Sequence, residues 1–268
     1  MKKGMIFIGF LLFSLLIAVS PDTLYADSNS VVPFVAEFFI GGTLDGKWVD
    51  SDMIATSVPA GLEFRCYSFS KETERKKGTA PELEQGPGEY WNISFGSTET
   101  ELENTFKVGG NWNALPRLPK LQKGGFQAYE KEIAAILKKN DISAPVVIQQ
   151  LVRIDLDGNG TDEVILVAGN ANSRIPMFEK NTYSIVLFRA LVNGKVQTSI
   201  LHEHFYKEAR EGEADSPNGY EIPFVLDLNN DGKMEVILRG AYYEGFWYEI
   251  FEFDGKSLIS VLSNGIGA

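Results

Sequence analysis

The chain of 268 residues contains one cysteine, Cys66, and two histidines, His202 and His204. A lone thiol rules out an intramolecular disulfide, so the fold must rest on an apolar core, with bound metal as the other available brace. Two histidines two residues apart hold a transition metal only if a third ligand arrives from elsewhere. Basic side chains are also scarce: 25 Lys and Arg stand against 36 Asp and Glu, a formal net charge of −11. That balance argues against nucleic acid or anionic lipid as the main partner, since both need a basic counterface, and it suits divalent cations. Familiar catalytic signatures are missing too. The glycines of IGGTLDG and KVGGN lack the Lys-Ser/Thr continuation of a phosphate loop, and neither a nucleophile elbow nor a zincin helix occurs.

Long apolar runs are confined to the start. Lys2 and Lys3 precede GMIFIGFLLFSLLIAVS, a basic start and short apolar core that read as a secretory signal, with cleavage expected after Ala26. No cysteine stands there to take a lipid, and no later run is long enough to span a bilayer. Removal takes Lys2, Lys3 and Asp22, a net +1, so the mature charge becomes −12. The expected product, residues 27–268, is a soluble acidic protein that is secreted or held in the cell envelope, with 12% aromatic residues overall to build a core.

Fold class reads as mainly β. Residues 27–110 alternate apolar runs with turn signals (VVPFVAEFFIGG, GLEFRCYSF, EYWNISF) and are expected to form a β-rich N-terminal domain. Within it KETERKKGTAPELEQGPGE is nearly free of apolar residues and reads as an exposed loop. Residues 111–145 read as a linker and one helix: Pro116, Pro119, Gly124 and Gly125 deny helix and central strand, then Phe126, Tyr129, Ile133 and Leu137 form one helical stripe. A domain boundary is expected near residues 110–124.

Residues 146–268 hold an internal repeat. IDLDGNGTDEVILV from Ile154 and LDLNNDGKMEVILR from Leu226 align without gaps, 72 residues apart. Each has a hairpin signal further on, Asn193-Gly194 and Asp254-Gly255, dipeptides suited to primed turns. Two four-stranded, blade-like repeats follow. Counted from the first Asp, side-chain oxygens fall at positions 1, 3, 5 and 9: Asp155, Asp157, Asn159 and Glu163, then Asp227, Asn229, Asp231 and Glu235. Alternate residues on a tight loop converge on one centre, and a shell of hard oxygens is what Ca2+ requires. Position 7, Thr161 or Lys233, can lend its backbone carbonyl, while Gly160 or Gly232 permits the sharp turn. Asp162, beside the first loop, is expected to face solvent.

An EF-hand places its closing acid at position 12 and then enters a helix, but position 12 here is Leu166 or Leu238 within a β-branched run. The loop therefore joins strand to strand. In this it resembles the FG-GAP or VCBS-type calcium repeats of integrin-like β-propellers and exported bacterial proteins. The resemblance covers Asp155 to Leu166 and Asp227 to Leu238, and more weakly residues 146–263; the Phe-Gly and Gly-Ala-Pro signatures are absent, and two repeats are too few for a closed propeller. It implies a secreted calcium-binding protein acting as a binding or scaffold module, with calcium in a structural role and an extracellular protein or glycan as partner. An extracellular hydrolase is the alternative, and it would need a cleft of convergent carboxylates or histidines.

The remaining candidates read as structural. His202 and His204 suit the polar face of a half-buried strand, Cys66 lies in an apolar stretch as a small core residue, and Glu211, Glu213 and Asp215 belong to a solvated loop. AYYEGFWYEIFEF places Tyr242, Tyr243, Phe246, Trp247 and Tyr248 around Glu244-Gly245. Sheet core plus a hairpin accounts for these aromatics; a ligand-binding surface would instead leave Trp247 or its neighbours exposed as a patch.

Overall fold

The computed structural model describes residues 30–86, 88–96, 104–211 and 216–267; the expected leader, residues 1–26, and the acids Glu213 and Asp215 lie outside them. The chain is mainly β. Its N-terminal part forms β1 (Val31–Val35), β2 (Phe39–Leu44), β3 (Lys47–Asp50), β4 (Glu63–Ser68), β5 (Lys71–Lys77), β6 (Glu82–Gly86), β7 (Gly88–Asn92) and β8 (Phe106–Val108), with one helical turn, α1 (Ser51–Ile54), after β3. Six of these strands make an antiparallel sheet in the order β3-β2-β1-β8-β4-β5, and β6 pairs with β7. The stretch read as a charged loop is thus mostly strand. Pairing β5 to β4 sets Arg65 against Glu72, and Arg75 3.3 Å from Glu63. As an edge strand, largely exposed along its length, β5 carries charges and needs no apolar alternation.

Next come β9 (Lys120–Leu121), α2 (Gln127–Lys139), β10 (Ile148–Ile154), β11 (Glu163–Gly169), β12 (Met177–Phe178), β13 (Thr182–Val192), β14 (Lys195–Tyr206) and β15 (Arg210–Glu211). The last four strands are β16 (Gly219–Leu226), β17 (Glu235–Tyr242), β18 (Gly245–Phe253) and β19 (Leu258–Gly267). The two repeats form antiparallel meanders: β10-β11-β13-β14, extended by β9 at the β10 edge, and β16-β17-β18-β19. In both, the strand pair that opens the repeat carries a bulge, at Ile148/Gln150 and at Glu221/Phe224. The final hairpins differ. Asn193 and Gly194, with φ of 52° and 74°, form the expected primed two-residue turn. Asp254-Gly255 instead lies in a four-residue loop between the paired Phe253 and Leu258, where the Asp254 carboxylate accepts from the Lys256 and Ser257 amides, each at 2.8 Å.

Burial explains the order of the layers. α2 lays Tyr129, Ile133 and Leu137 on Leu151, Leu166, Tyr183 and Leu187 of the five-stranded sheet. The other face of that sheet joins one large core in which Val152, Ile165 and Val186 meet Phe224, Val236 and Ile250 of the second repeat and Phe34, Phe38, Tyr67 and Phe106 of the N-terminal part. With both faces covered, β11 is buried at all seven positions, which is why its sequence is an unbroken apolar run. The core continues through the expected boundary at Ala114 and Leu115. Among the described residues no helix is long and apolar enough to cross a membrane.

Candidate metal centre

Each candidate loop is set by the pairing at its base. Ile154 faces Glu163 across β10 and β11, and Leu226 faces Glu235 across β16 and β17, so residues 155–162 and 227–234 are the equivalent connections. Two residues in each turn back in the left-handed region: Gly158 (φ 77°) and Gly160 (φ 87°), then Asn230 (φ 60°) and Gly232 (φ 83°). Glycine adopts that conformation freely and asparagine tolerates it, so positions 4 and 6 carry the turn.

The ligand candidates shape their own loops. In the first, Asp155 Oδ1 accepts from the Gly158 and Asn159 amides at 2.8 and 3.0 Å, and Oδ2 accepts from Gly160 at 2.9 Å. Asp157 and Asn159 each accept an amide two residues on, from Asn159 at 3.1 Å and Thr161 at 2.8 Å. In the second, Asp227, Asn229 and Asp231 accept from Gly232 (3.1 Å), Asp231 (3.0 Å) and Lys233 (2.8 Å). Glu163 and Glu235 close the loops from within. Their Oε2 atoms accept from the amides of Leu156 (2.9 Å) and Leu228 (2.6 Å), and the two residues are only 2% and 1% exposed.

Burial of the carboxylates sets the electrostatics. Asp155, Asp157 and Glu163 bring carboxylate oxygens within 4.8 Å of one another. Desolvation raises the pKa of Glu163, with Asp157 and Asp155 adding to it. In the second loop desolvation raises Asp227 and pushes Glu235 well above the ordinary carboxylate range, with Asp231 contributing in both cases. Asp227 is 4% exposed; its Oδ1 makes no hydrogen bond of good geometry, although the Asn230 and Asp231 amides lie near enough to offset part of the desolvation. An orphaned buried acceptor costs about 1–3 kcal/mol, more when it is charged. A hard cation removes that cost and the mutual repulsion together, and the oxygen donors of both loops fit Ca2+. Only the first loop packs three carboxylates within 4.8 Å among the described residues; the second carries Asn229 at position 3.

Three groups from outside the loops complete the centre. The guanidinium of Arg117 donates to the carbonyls of Asp155 (2.6 Å), Leu156 (2.9 Å) and Gly232 (2.8 Å), joining the two loops, and the Met234 amide donates to Leu156 O at 2.8 Å. Trp112 Nε1 donates to Asp227 O at 2.8 Å. Glu252, on β18, accepts from Asn229 Nδ2 at 3.3 Å and from Trp48 Nε1 at 2.8 Å, adding a fourth carboxylate beside the second loop. The prolines around Arg117 point only to a linker, and nothing in the local sequence marks Glu252. Asp162 is paired rather than free in solvent, 3.3 Å from Lys120 and 3.6 Å from Arg153.

No family model, curated protein or solved structure matches the chain.

The other candidates are placed as follows. His202 and His204 share a face of β14, where His202 Nε2 lies 2.8 Å from Glu249 and His204 Nε2 lies 2.8 Å from the Tyr220 hydroxyl and 3.0 Å from Asn218 Nδ2. Both rings stack on Tyr220, so the pair packs one repeat against the other, and burial lowers the pKa of His204. Cys66 is 1% exposed, with its thiol pushed up to about 11 by burial. Trp247 is half-buried over Gly240, where an added Cβ would meet the indole at 2.1 Å, while Tyr243 is 45% exposed.

Proposed function

We propose that this chain is an exported calcium-binding protein of the FG-GAP/VCBS kind, in which structural calcium in both loops braces a binding or scaffold module. Asp227 carries the proposal. Its buried, unpartnered oxygen sits in a loop whose closing Glu235 is also desolvated, and a turn made for conformation alone gains nothing from that. The metal would be held by Asp155, Asp157, Asn159 and Glu163, and by Asp227, Asn229, Asp231 and Glu235, with the Thr161 and Lys233 carbonyls. Its role is structural because each shell comes from one short loop at a strand junction. Extracellular calcium modules bind at about 0.1–1 mM, so export supplies the metal.

Calorimetric calcium titration of residues 27–268 after chelation is the test, run beside Glu163→Gln/Glu235→Gln. Glutamine keeps an acceptor for the Leu156 and Leu228 amides and removes only the charge, so the variant isolates metal binding from loop bracing. Uptake of about two ions by the parent and loss in the variant is the expected result. Absence of heat in the parent, with no calcium-dependent change in melting temperature, would reduce both loops to turns.

A further inference from the structure

We infer that the cleft between the two repeats, bordered by Glu37 and Tyr90 of the N-terminal part, is a binding site for a neutral oligosaccharide. The inference rests on the binding-module reading and supplies its ligand class. The cleft holds about 910 Å³ and is walled by the β17–β18 hairpin, the segment after β11, the start of β16, and Glu37 and Tyr90 of the N-terminal part. That volume falls in the range of about 300–1,000 Å³ usual for small-molecule sites.

Its charges cancel. Arg239 lies 2.8 Å from Glu37 and 3.5 Å from Glu221 while its guanidinium rests 4.6 Å above the Phe246 ring. Glu37 also accepts from the Tyr248 hydroxyl at 2.9 Å. With Glu244 and Arg174, the lining has three carboxylates against two guanidinium groups. No surplus positive charge is present to hold an anion. The charged side chains of Glu37, Glu221 and Arg239 interrupt the apolar lining, which leaves no continuous trough for an amphipathic helix. A strand-like peptide would need a free sheet edge, but next to the cleft the backbone of Ile222 is already engaged by the Gln150 side chain, with its N–H donating at 2.8 Å and its C=O accepting at 2.9 Å.

What the cleft does offer is flat rings beside planar polar groups. Tyr243 presents an exposed ring, and Tyr90, Tyr242 and Phe246 are half-buried around the same space. The Tyr242 hydroxyl fills the room left by Gly267, where a Cβ would come within 2.1 Å, so this ring is held by the backbone beneath it. A sugar ring has a C–H face that stacks on an aromatic plane and a rim of uncharged hydroxyls that both donate and accept. Arg239 and Glu221, together with the amide of Asn172, supply complementary donors and acceptors along that rim.

The test is an array of neutral glycans, with acidic glycans and peptides on the same array, probed with calcium-loaded protein of residues 27–268, its Tyr243→Ala and Tyr243→Trp variants, and calcium uptake measured in parallel. Tyr243 is exposed, so its replacement leaves the core intact. Expected is binding to neutral glycans that weakens at least tenfold in Tyr243→Ala and returns in Tyr243→Trp, with calcium uptake unchanged. Neutral-glycan binding indifferent to Tyr243→Ala would overturn the assignment to this cleft, and binding to acidic glycans or peptides alone would overturn the ligand class. Silence on the array with calcium uptake intact sinks the glycan inference and leaves the calcium proposal standing; glycan binding without calcium uptake does the reverse.

Discussion

At Asp227 a turn and a cation site make opposite demands. A turn needs only the oxygen that accepts from Gly232, and asparagine supplies one. A cation needs the charge. Asp227→Asn is therefore expected to stabilise the calcium-free protein by about 1 kcal/mol, because a desolvated carboxylate is removed. The same change removes the gain at the second site on adding 10 mM calcium, about 1.4–2.7 kcal/mol per site for binding at 0.1–1 mM. Urea unfolding with and without calcium reads both arms, and equal shifts in the two would make Asp227 a turn residue only. Arg117 works through its fork. Its three carbonyl bonds span both loops, so Arg117→Ala should cost about 2–3 kcal/mol and weaken calcium at both sites, whereas Arg117→Lys, a single point donor, restores part of the stability. An effect on one site alone would break the coupling argument.

At the scale of elements, β11 and β17 each begin with a buried glutamate, and this sets a pH dependence. Because burial raises the folded-state pKa of Glu163, Glu235 and Asp227, these three groups bind more protons in the folded chain than in the unfolded chain once pH exceeds the unfolded values, about 4. Their contribution to the stability of the calcium-free protein should fall as pH rises through that window. Calcium requires the deprotonated ligands, so the calcium-saturated protein should be stabilised increasingly over the same range. Melting curves between pH 4 and 7, in chelator and in calcium, should diverge; parallel curves would contradict the burial argument. These strand-to-strand loops are legible in the sequence because their oxygen-bearing residues occupy one short stretch, repeated. The stripe of α2 was legible for the same reason of locality. Edge strand β5 was not, since a largely exposed strand shows charge instead of alternation, and Glu252 and Arg117 reach the centre from other parts of the chain.

For the whole molecule, composition divides the chain near residue 110, but the contacts across that line are those of one body. Phe34, Phe38 and Phe106 share a core with Phe224, Val236 and Tyr248. Polar bonds reinforce it: Trp48 to Glu252 at 2.8 Å, Arg239 to Glu37 at 2.8 Å, and Asn264 to Ile40 O at 3.0 Å. One of these ties reaches the second candidate loop, since Glu252 also accepts from Asn229, and Trp112, just past the line, donates to Asp227 O. A domain boundary would instead run where few contacts cross. Unfolding is therefore expected as one calorimetric transition, with van't Hoff and calorimetric enthalpies in agreement, even at a length where intermediates are common. Chelation should lower that single transition as a whole, since whatever loosens Asp227 also loosens the segment that seats the N-terminal sheet. Two transitions, only the second responding to calcium, would mean that the N-terminal sheet folds by itself and that the shared core contributes little to holding the halves together.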